Sequence, residues 1–352
     1  MGYLRFILAL FVVISHSNSN ILIPFFNNTD LTLYNFGGRN AVGLFFMISG
    51  FYMSLILTDK YKNSIKTFYV NRALRIFPTY WLVLLLGVFF IGADYTNIIN
   101  VLKTTTSGAN FYFLFSNIFI FGSDTAYLIS AHGNVGLHWD PFGISASHNG
   151  FLFLAIPTVF TIAIELMFYV VAPFLVRSIK LTIGVLFAAI IYHLVIIATN
   201  NVNIAFQYHL LPASFLYFTL GILSHKMYLN KEFKLQKSFY VLFALIATSV
   251  LLIQPLLPNL FIFLFPFVLP YLFELTKYNK IDRFIGDLSY PLYIVHYSVL
   301  KYCWAHHVPP PLMALRVCLI SITISIIILV VFEKPIERFR AKRALKLNTI
   351  DS

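Results

Sequence analysis

Apolar residues follow one another along this chain in long runs, and short polar segments separate the runs. Runs of roughly 17–25 such residues have the length of a helix that crosses a lipid bilayer. Residues 1–19 also resemble a secretion signal in outline, but they lack a clear small-x-small cleavage site, so we expect them to remain as the first helix. The pattern predicts ten transmembrane helices, at approximately 4–20, 41–58, 76–93, 151–176, 181–199, 208–225, 238–253, 258–276, 284–304 and 312–332.

These ten helices predict an all-α integral membrane protein, and its composition excludes a soluble globular one. Hydrophobic residues make up 59% of the chain and mean hydropathy is +0.81. Charged residues make up 11%, against about 25% in a soluble protein. The two cysteines, Cys303 and Cys318, both lie in apolar runs, so we expect neither a thiolate metal site nor a disulfide framework. We predict one membrane domain at 1–332 and a basic tail at 333–352.

The net charge of +12 suggests a nucleic-acid partner until the positions of the charges are considered. With a cytoplasmic N-terminus, all but four of the 25 basic residues fall on the cytoplasmic side of the predicted helices. The four exceptions are Arg39, Lys103, Lys301 and Arg316. Such a bias is the positive-inside rule for membrane proteins. It predicts that both termini are cytoplasmic, and it explains the charge without nucleic acid.

The segment 94–150 is predicted to stay on the outer side as one long region. Within it, 111–122 is apolar but only 12 residues long, which is the length of a re-entrant or interfacial element. The region also carries His132, His138, Trp139, Asp140 and His148 among glycines and serines. Two interpretations stay open for it: a loop that faces the substrate, or an ordinary solvated loop.

Ionisable side chains deep in a membrane helix are costly, so each is a candidate for function. Glu165 is the one acid well inside a predicted helix, and the histidines placed there are His16, His193 and His296. At about 1.5 Å per residue, His16 lies roughly 16–17 Å from Arg5, and Glu165 and His296 lie at roughly 18–20 Å depth. We predict that these three groups share a water-filled cavity near the midplane and act in catalysis. The alternative is a polar contact between helices, which we favour for His193.

Arg72 and Arg75 lie at the start of the third predicted helix, in the segment FYVNRALRIFPTYW. Their spacing of three residues places both guanidinium groups on one helix face. Two such groups at the cytoplasmic interface are suited to bind a phosphate or pyrophosphate. The alternative is that they fix the topology or contact anionic lipid headgroups.

Five segments together resemble the acyltransferase family 3 membrane proteins. MGYLRFILALFVVISH is similar to the family's first helix, whose hallmark is Arg, ten residues and then His, here Arg5 and His16. FFMISGFYMSLIL resembles the second helix, and RALR followed by IFPTYW resembles the start of the third. TVFTIAIELMFYVVAPFL resembles the segment with a Glu before an aromatic pair, and IGDLSYPLYIVHYSV resembles a late helix that ends in His. The Trp-Ser-Leu that often precedes the Glu is replaced here by Thr-Ile-Ala at 161–163.

This resemblance implies a membrane-bound O-acetyltransferase of surface polysaccharides, located in the bacterial inner (cytoplasmic) membrane. Cytoplasmic acetyl-CoA would be the acyl donor, and no cofactor is expected to stay permanently bound. The acceptor would be a hydroxyl of an extracytoplasmic glycan or lipid-linked polysaccharide, first of all a lipopolysaccharide O-antigen or a capsular sugar. Membrane lipids would be the remaining partners.

The resemblance also implies a role for each candidate residue. Arg72 and Arg75 would bind the CoA phosphates, while Arg5 would either assist them or face the headgroups. His16 would act as a general base or as a transient acyl acceptor, and Glu165 or His296 would orient it or relay its proton. These six residues are the predicted site.

A proton-coupled transporter is the competing prediction, because its proton relay would also use histidine and glutamate inside the membrane. The lack of visible repeat symmetry between the two halves of the chain counts against it.

Overall fold

The computed structural model describes residues 1–17, 33–90, 99, 103, 105–131, 136–141, 149–199, 205–229 and 260–340. Eleven helices in this part of the chain are labelled in order: α1 Gly2–His16, α2 Leu33–Thr58, α3 Ile65–Phe90, α4 Ser107–Phe119, α5 Phe160–Arg177, α6 Ile179–Ala198, α7 Leu211–Leu229, α8 Leu260–Thr276, α9 Lys280–Asp287, α10 Ser289–Ala305 and α11 Pro310–Ile327. Two π-helical turns, Ala205–His209 and Ile328–Glu333, lie next to α7 and α11. The strands β1 Ile129–Ala131 and β2 Leu137–Trp139 form one antiparallel hairpin.

Within the described ranges, five helical segments are long and apolar enough to cross a membrane: Gly37–Thr58, Ile65–Phe89, Pro157–Arg177, Ile179–Ala198 and Leu312–Arg340. The chain is therefore a multi-pass, almost wholly helical membrane protein, as predicted. The predicted helix at 238–253 lies outside the described residues, and the count of ten and the cytoplasmic termini stay predictions. The third helix begins at Ile65 rather than near 76, because Asn71 and Arg72 point into the protein and extend the buried face.

The centre of the bundle is the crossing of α2 with α7. A side chain on Gly50 would lie 2.2 Å from the carbonyl oxygen of Phe218, and one on Gly221 would lie 1.9 Å from that of Met47. Glycine at both positions lets the two backbones touch, which is how membrane helices gain packing without a hydrophobic driving force.

The first helix is fastened at its start by Asp282 of α9. The carboxylate oxygens accept hydrogen bonds from the backbone N–H groups of Gly2 at 2.7 Å and Tyr3 at 2.9 Å. Burial alone would raise the pKa of Asp282, but the hydrogen bonds from the amino terminus, Tyr3 and Gly2 outweigh it and lower that pKa. This cap fixes the height of α1, and with it the height of Arg5 and His16.

The short apolar segment predicted at 111–122 is the 13-residue helix α4, which is too short to cross. Its last turn meets the middle of α3, where Tyr80 and Trp81 donate hydrogen bonds to the carbonyl oxygens of Asn117 and Ile118 at 2.5 and 2.8 Å. Asn117 in turn bonds the carbonyl oxygen of Phe153 at 2.9 Å. Backbone groups at the helix end are thus satisfied by protein, as a re-entrant element requires.

The hairpin that follows α4 contains His138 and Trp139, both with exposed side chains, and ends at the buried Asp140. His132 and His148 lie outside the described residues. Both interpretations of this outer region stay open.

Candidate active site

A cavity of about 430 Å³ lies between α1, α2, α3, α5 and α9–α10, within the size range of small-molecule sites. Its wall includes four of the six predicted residues: Arg5, Arg72, Arg75 and Glu165. The cavity brings together side chains from three helices that lie far apart in sequence. Because charged groups are costly in hydrocarbon, three arginines are tolerated in a helix bundle where they face a cavity rather than lipid.

Arg72 is only 9% exposed, so it lies within the protein rather than among lipid headgroups. Its guanidinium stands over the rings of Tyr169 at 5.8 Å and Phe68 at 6.0 Å. Its Nε has no hydrogen-bond partner among the residues the structure describes. Aromatic faces hold the cation by a cation–π contact and leave N–H donors for an anion.

Arg75 lies on the same face of α3, one turn further along, and lines the cavity beside Asp287 and Glu337. Arg5 and Glu165 line the same cavity. The arginine pair predicted from the i, i+3 spacing therefore does face one space, and Arg5 joins it from another helix.

Glu165 accepts two hydrogen bonds on the same carboxylate oxygen, Oε1. Ser49 of α2 donates at 2.7 Å, and Tyr169, one turn along α5, donates at 2.5 Å. Since Tyr169 also packs against Arg72, the glutamate is joined through it to the arginine group. Glu165 thus lies with the arginines in the cavity wall.

His16 and His296 form a separate pair at the other end of α1. Their rings are stacked with centroids 5.4 Å apart and planes inclined by 28°. His16 is exposed at the last turn of α1, whereas His296 is completely buried. Neither lines the arginine cavity, so the three groups expected in one cavity are divided between two places.

The carbonyl oxygen of Tyr293 fixes the tautomer of His296. Nδ1 of His296 lies 2.6 Å from that oxygen, and a carbonyl can only accept, so Nδ1 carries the proton. The other nitrogen, Nε2, is then a bare lone pair, and it has no partner in the described part of the chain. His296 is thus held in one orientation behind His16.

Tyr293 connects the two places. Its side chain lines the cavity, and its ring lies 5.7 Å from that of His296. The hydroxyl is held by Thr161, 2.7 Å away, and by the carbonyl oxygen of Thr158 at 3.1 Å. A molecule that fills the cavity from the arginines to Tyr293 therefore ends next to the histidine pair.

Sequence reasoning missed Ser49, Tyr169 and Tyr293. The four-residue spacing of Glu165 and Tyr169 is typical of a contact on one helix face, so this contact could have been predicted from the sequence. Ser49 and Tyr293 gave no such signal, because their partners lie on other helices. His193 bonds the carbonyl oxygen of Ala213 at 3.0 Å, as expected of a contact between helices.

The sequence as a whole matches the acyltransferase family 3 domain over residues 1–330. The chain belongs to acyltransferase family 3. A match of this extent makes it an acyl-transferring enzyme of the O-acetyltransferase type, and it decides against the transporter prediction. No curated protein and no solved structure shows significant similarity to the chain.

Membership in acyltransferase family 3 does not by itself assign a role to any residue, so the roles are argued from the geometry of the site. No group of three or more His, Cys, Asp or Glu side chains in the described ranges is arranged to hold a metal ion. The arrangement that the structure offers is an arginine-lined cavity that leads to a pair of imidazoles.

Proposed function

We propose that this acyltransferase moves an acetyl group from cytoplasmic acetyl-CoA to a hydroxyl of an extracytoplasmic glycan. The observation that carries the proposal is the arginine cavity, whose far wall, at Tyr293, contacts the ring of His296. A donor with an anionic end and a reactive end can lie along this cavity, with its anionic end at the arginines and its reactive end near the histidines. Acetyl-CoA has phosphates at one end and a thioester at the other.

In this proposal Arg72 and Arg75 bind the phosphates of CoA, and Arg5 assists them. The burial of Arg72 and its unpartnered Nε support this assignment. The guanidinium of an arginine that only fixed the topology would lie in solvent or among lipid headgroups. The pantetheine arm then passes Glu165 and places the thioester near Tyr293.

His16, stacked on His296, carries the chemistry at the histidine pair. As a general base, it takes the proton of the acceptor hydroxyl while the hydroxyl oxygen attacks the thioester carbonyl and the CoA thiolate leaves. As a nucleophile, its imidazole attacks the thioester carbonyl, the CoA thiolate leaves, and the acetyl group is held as an acyl-imidazole. The acceptor hydroxyl then attacks that acetyl group, and the displaced imidazole takes the hydroxyl proton. Its exposure at the end of α1 gives an acceptor access in both cases.

Glu165 and His296 act through other residues in this scheme. Glu165 holds Tyr169 against Arg72, so we assign it to the donor cavity. His296 packs behind His16 with one fixed tautomer and sets the position of its ring. The sequence left open whether Glu165 or His296 orients His16, and the ring contact favours His296.

The acceptor enters from the histidine end, which the charge distribution assigns to the outer side. An O-antigen or capsular sugar, free or on a lipid carrier, remains the first choice, in the bacterial inner membrane. The family typically acetylates polysaccharides, which agrees with this choice.

The purified protein, incubated with radiolabelled acetyl-CoA in detergent, tests the proposal. Wild type should release CoA and bind acetyl-CoA, whereas Arg72→Ala/Arg75→Ala should fail to bind it. Glycan NMR of cells with and without the gene should show loss of O-acetyl signals. Acetyl-CoA that is neither bound nor consumed by well-folded protein would exclude it as the donor.

A further inference from the structure

One more arginine, Arg39, lies at the end of the bundle that carries the histidine pair, and the proposed chemistry does not use it. A side chain on Gly38 of α2 would meet Oγ of Ser15 at 2.4 Å, so the start of α2 packs against the last turn of α1. Ser15 precedes His16, and Arg39 follows Gly38. Arg39 therefore lies at the level of His16, one helix length from the arginine cavity.

Arg39 has an exposed side chain and is held in place by neutral groups. Its guanidinium stands over the ring of Tyr208 at 5.4 Å, and Nη1 donates to Oε1 of Gln207 at 3.3 Å. Among the described residues, no carboxylate lies within salt-bridge distance of it. An arginine that is held in place by neutral partners in the described part of the chain keeps N–H donors for an anion.

Tyr208 belongs to a cluster of rings around the π-helical turn Ala205–His209. The ring of His209 lies 3.9 Å from Tyr127 and 4.4 Å from Phe160. His209 is 7% exposed, and its Nδ1 has no partner within the described ranges. Aromatic faces with a few polar groups are typical of small-ligand sites, and π-helical turns are frequent at functional sites.

This cluster is connected to the histidine pair. The ring of Phe160 packs on that of Tyr208 with centroids 5.3 Å apart. The next residue, Thr161, shares a hydrogen bond with Tyr293, whose ring lies 5.7 Å from that of His296. A ligand on Arg39 and Tyr208 would therefore lie at the same end of α1 as His16.

We infer that Arg39, Tyr208 and His209 form an acceptor subsite for a sugar that carries an anionic group, either a carboxylate or a phosphate. The inference rests on the proposed acetyl transfer and adds the class of its acceptor. Arg39 binds the anionic group, the ring of Tyr208 holds the guanidinium in place, and His209 packs against that ring. The competing explanation is that Arg39 only fastens α2 to the π-helical turn.

Binding of two matched pairs of probes to the purified protein separates these explanations. One pair is p-nitrophenyl glucuronide and p-nitrophenyl glucoside, and the other is mannopentaose with and without a 6-phosphate. Saturating CoA occupies the arginine cavity, so the anion cannot bind there. We expect one anionic probe to bind about tenfold or more tightly than its neutral partner, and the pair that responds identifies carboxylate or phosphate.

Arg39→Gln should remove that preference, and Arg39→Lys should retain part of it because lysine keeps the charge but not the planar fork. Arg316→Gln is the matched control, since Arg316 is another exposed arginine of the predicted outer side. CoA affinity of each variant, measured on the same sample, reports on folding and on the donor site. The subsite is excluded if neither anionic probe is preferred by wild type, or if Arg39→Gln and Arg316→Gln behave alike. CoA binding in that case would leave the acetyl-CoA proposal standing.

Discussion

Arg5 and His16 are eleven residues apart on one helix, roughly 16–17 Å along its axis, and their surroundings differ in kind. Around Arg5 the wall of the cavity carries further charges, among them Arg72, Arg75 and Glu165. Around His16 the neighbours are rings, with His296 stacked on it and Tyr293 next in line. One end can hold a polyanion, and the other can hold groups that react while neutral.

This difference follows from the cost of charge inside a membrane. Guanidinium groups stay ionised and need water or counter-charges, so they are found at a cavity. Imidazole can be neutral, so it packs among aromatic rings at little cost. The transfer that we propose uses both environments, and the length of α1 sets the distance between them.

The largest expected effect comes from the histidine end. His16→Ala should reduce the rate of acetyl transfer at saturating acetyl-CoA by at least about 10²-fold, because a general base contributes about that much or more. The KM for acetyl-CoA should change little, since the arginines remain. His193→Ala, which removes a histidine that only bonds α7, is the matched control. Near-normal transfer by His16→Ala at equal expression would remove His16 from the chemistry.

The next largest effect is expected at the arginine end, where the KM for acetyl-CoA should change more than kcat. In Arg72→Lys/Arg75→Lys the charge and topology are kept, but the planar forks are lost. Because lysine keeps the charge at both positions, we expect the two changes together to cost about as much as one lost charge-assisted contact, about 1.5–3 kcal/mol. The KM for acetyl-CoA should then rise about 10- to 150-fold, with a smaller change in kcat. Arg177→Lys, outside the cavity wall, is the control. An unchanged KM would make both arginines topology anchors.

A smaller effect should follow from removing one hydrogen bond to Glu165, the glutamate that we assign to the arginine cavity. Tyr169→Phe removes one hydrogen bond to Glu165, worth about 0.5–1.5 kcal/mol. The KM for acetyl-CoA should rise roughly 2- to 10-fold, and Ser49→Ala should act in the same way. Tyr192→Phe, which loses a bond to the carbonyl oxygen of Phe206, serves as the comparison. If kcat falls and KM does not, Glu165 acts at the histidines instead.

The smallest effect concerns the cap that sets the height of both ends. Asp282→Asn should lower stability by about 1 kcal/mol, or the melting temperature by roughly 2–4 °C. Because the folded pKa of Asp282 is lowered, this contribution is present above the unfolded pKa near 3.9 and is lost as pH falls through the folded value. Thermal melts of both proteins between pH 3 and 7 should converge at the acid end. A constant difference across that range would mean that the carboxylate charge has no part in the cap.

Much of the fold could be predicted from local properties of the chain. Apolar run length identified a membrane protein, and the helices at Gly37–Thr58, Ile179–Ala198 and Leu312–Arg340 lie close to the predicted positions. The short helix α4 was also predicted, because its apolar run is too short to cross. The start of α3 was missed by about ten residues, since polar residues on an inward face look like the end of a membrane segment.

The sequence by itself determined which candidate residues share a helix and how far apart they lie along it, since helical rise and periodicity are local. Arg72 and Arg75 face one space for that reason, and Arg5 and His16 lie a fixed distance apart. Depth, however, does not specify the direction in which a side chain points, nor which helix is its neighbour. Only the tertiary structure decided that Glu165 joins the arginines through Ser49 and Tyr169 while His296 stacks on His16, because those contacts depend on how separate helices pack and rotate against one another.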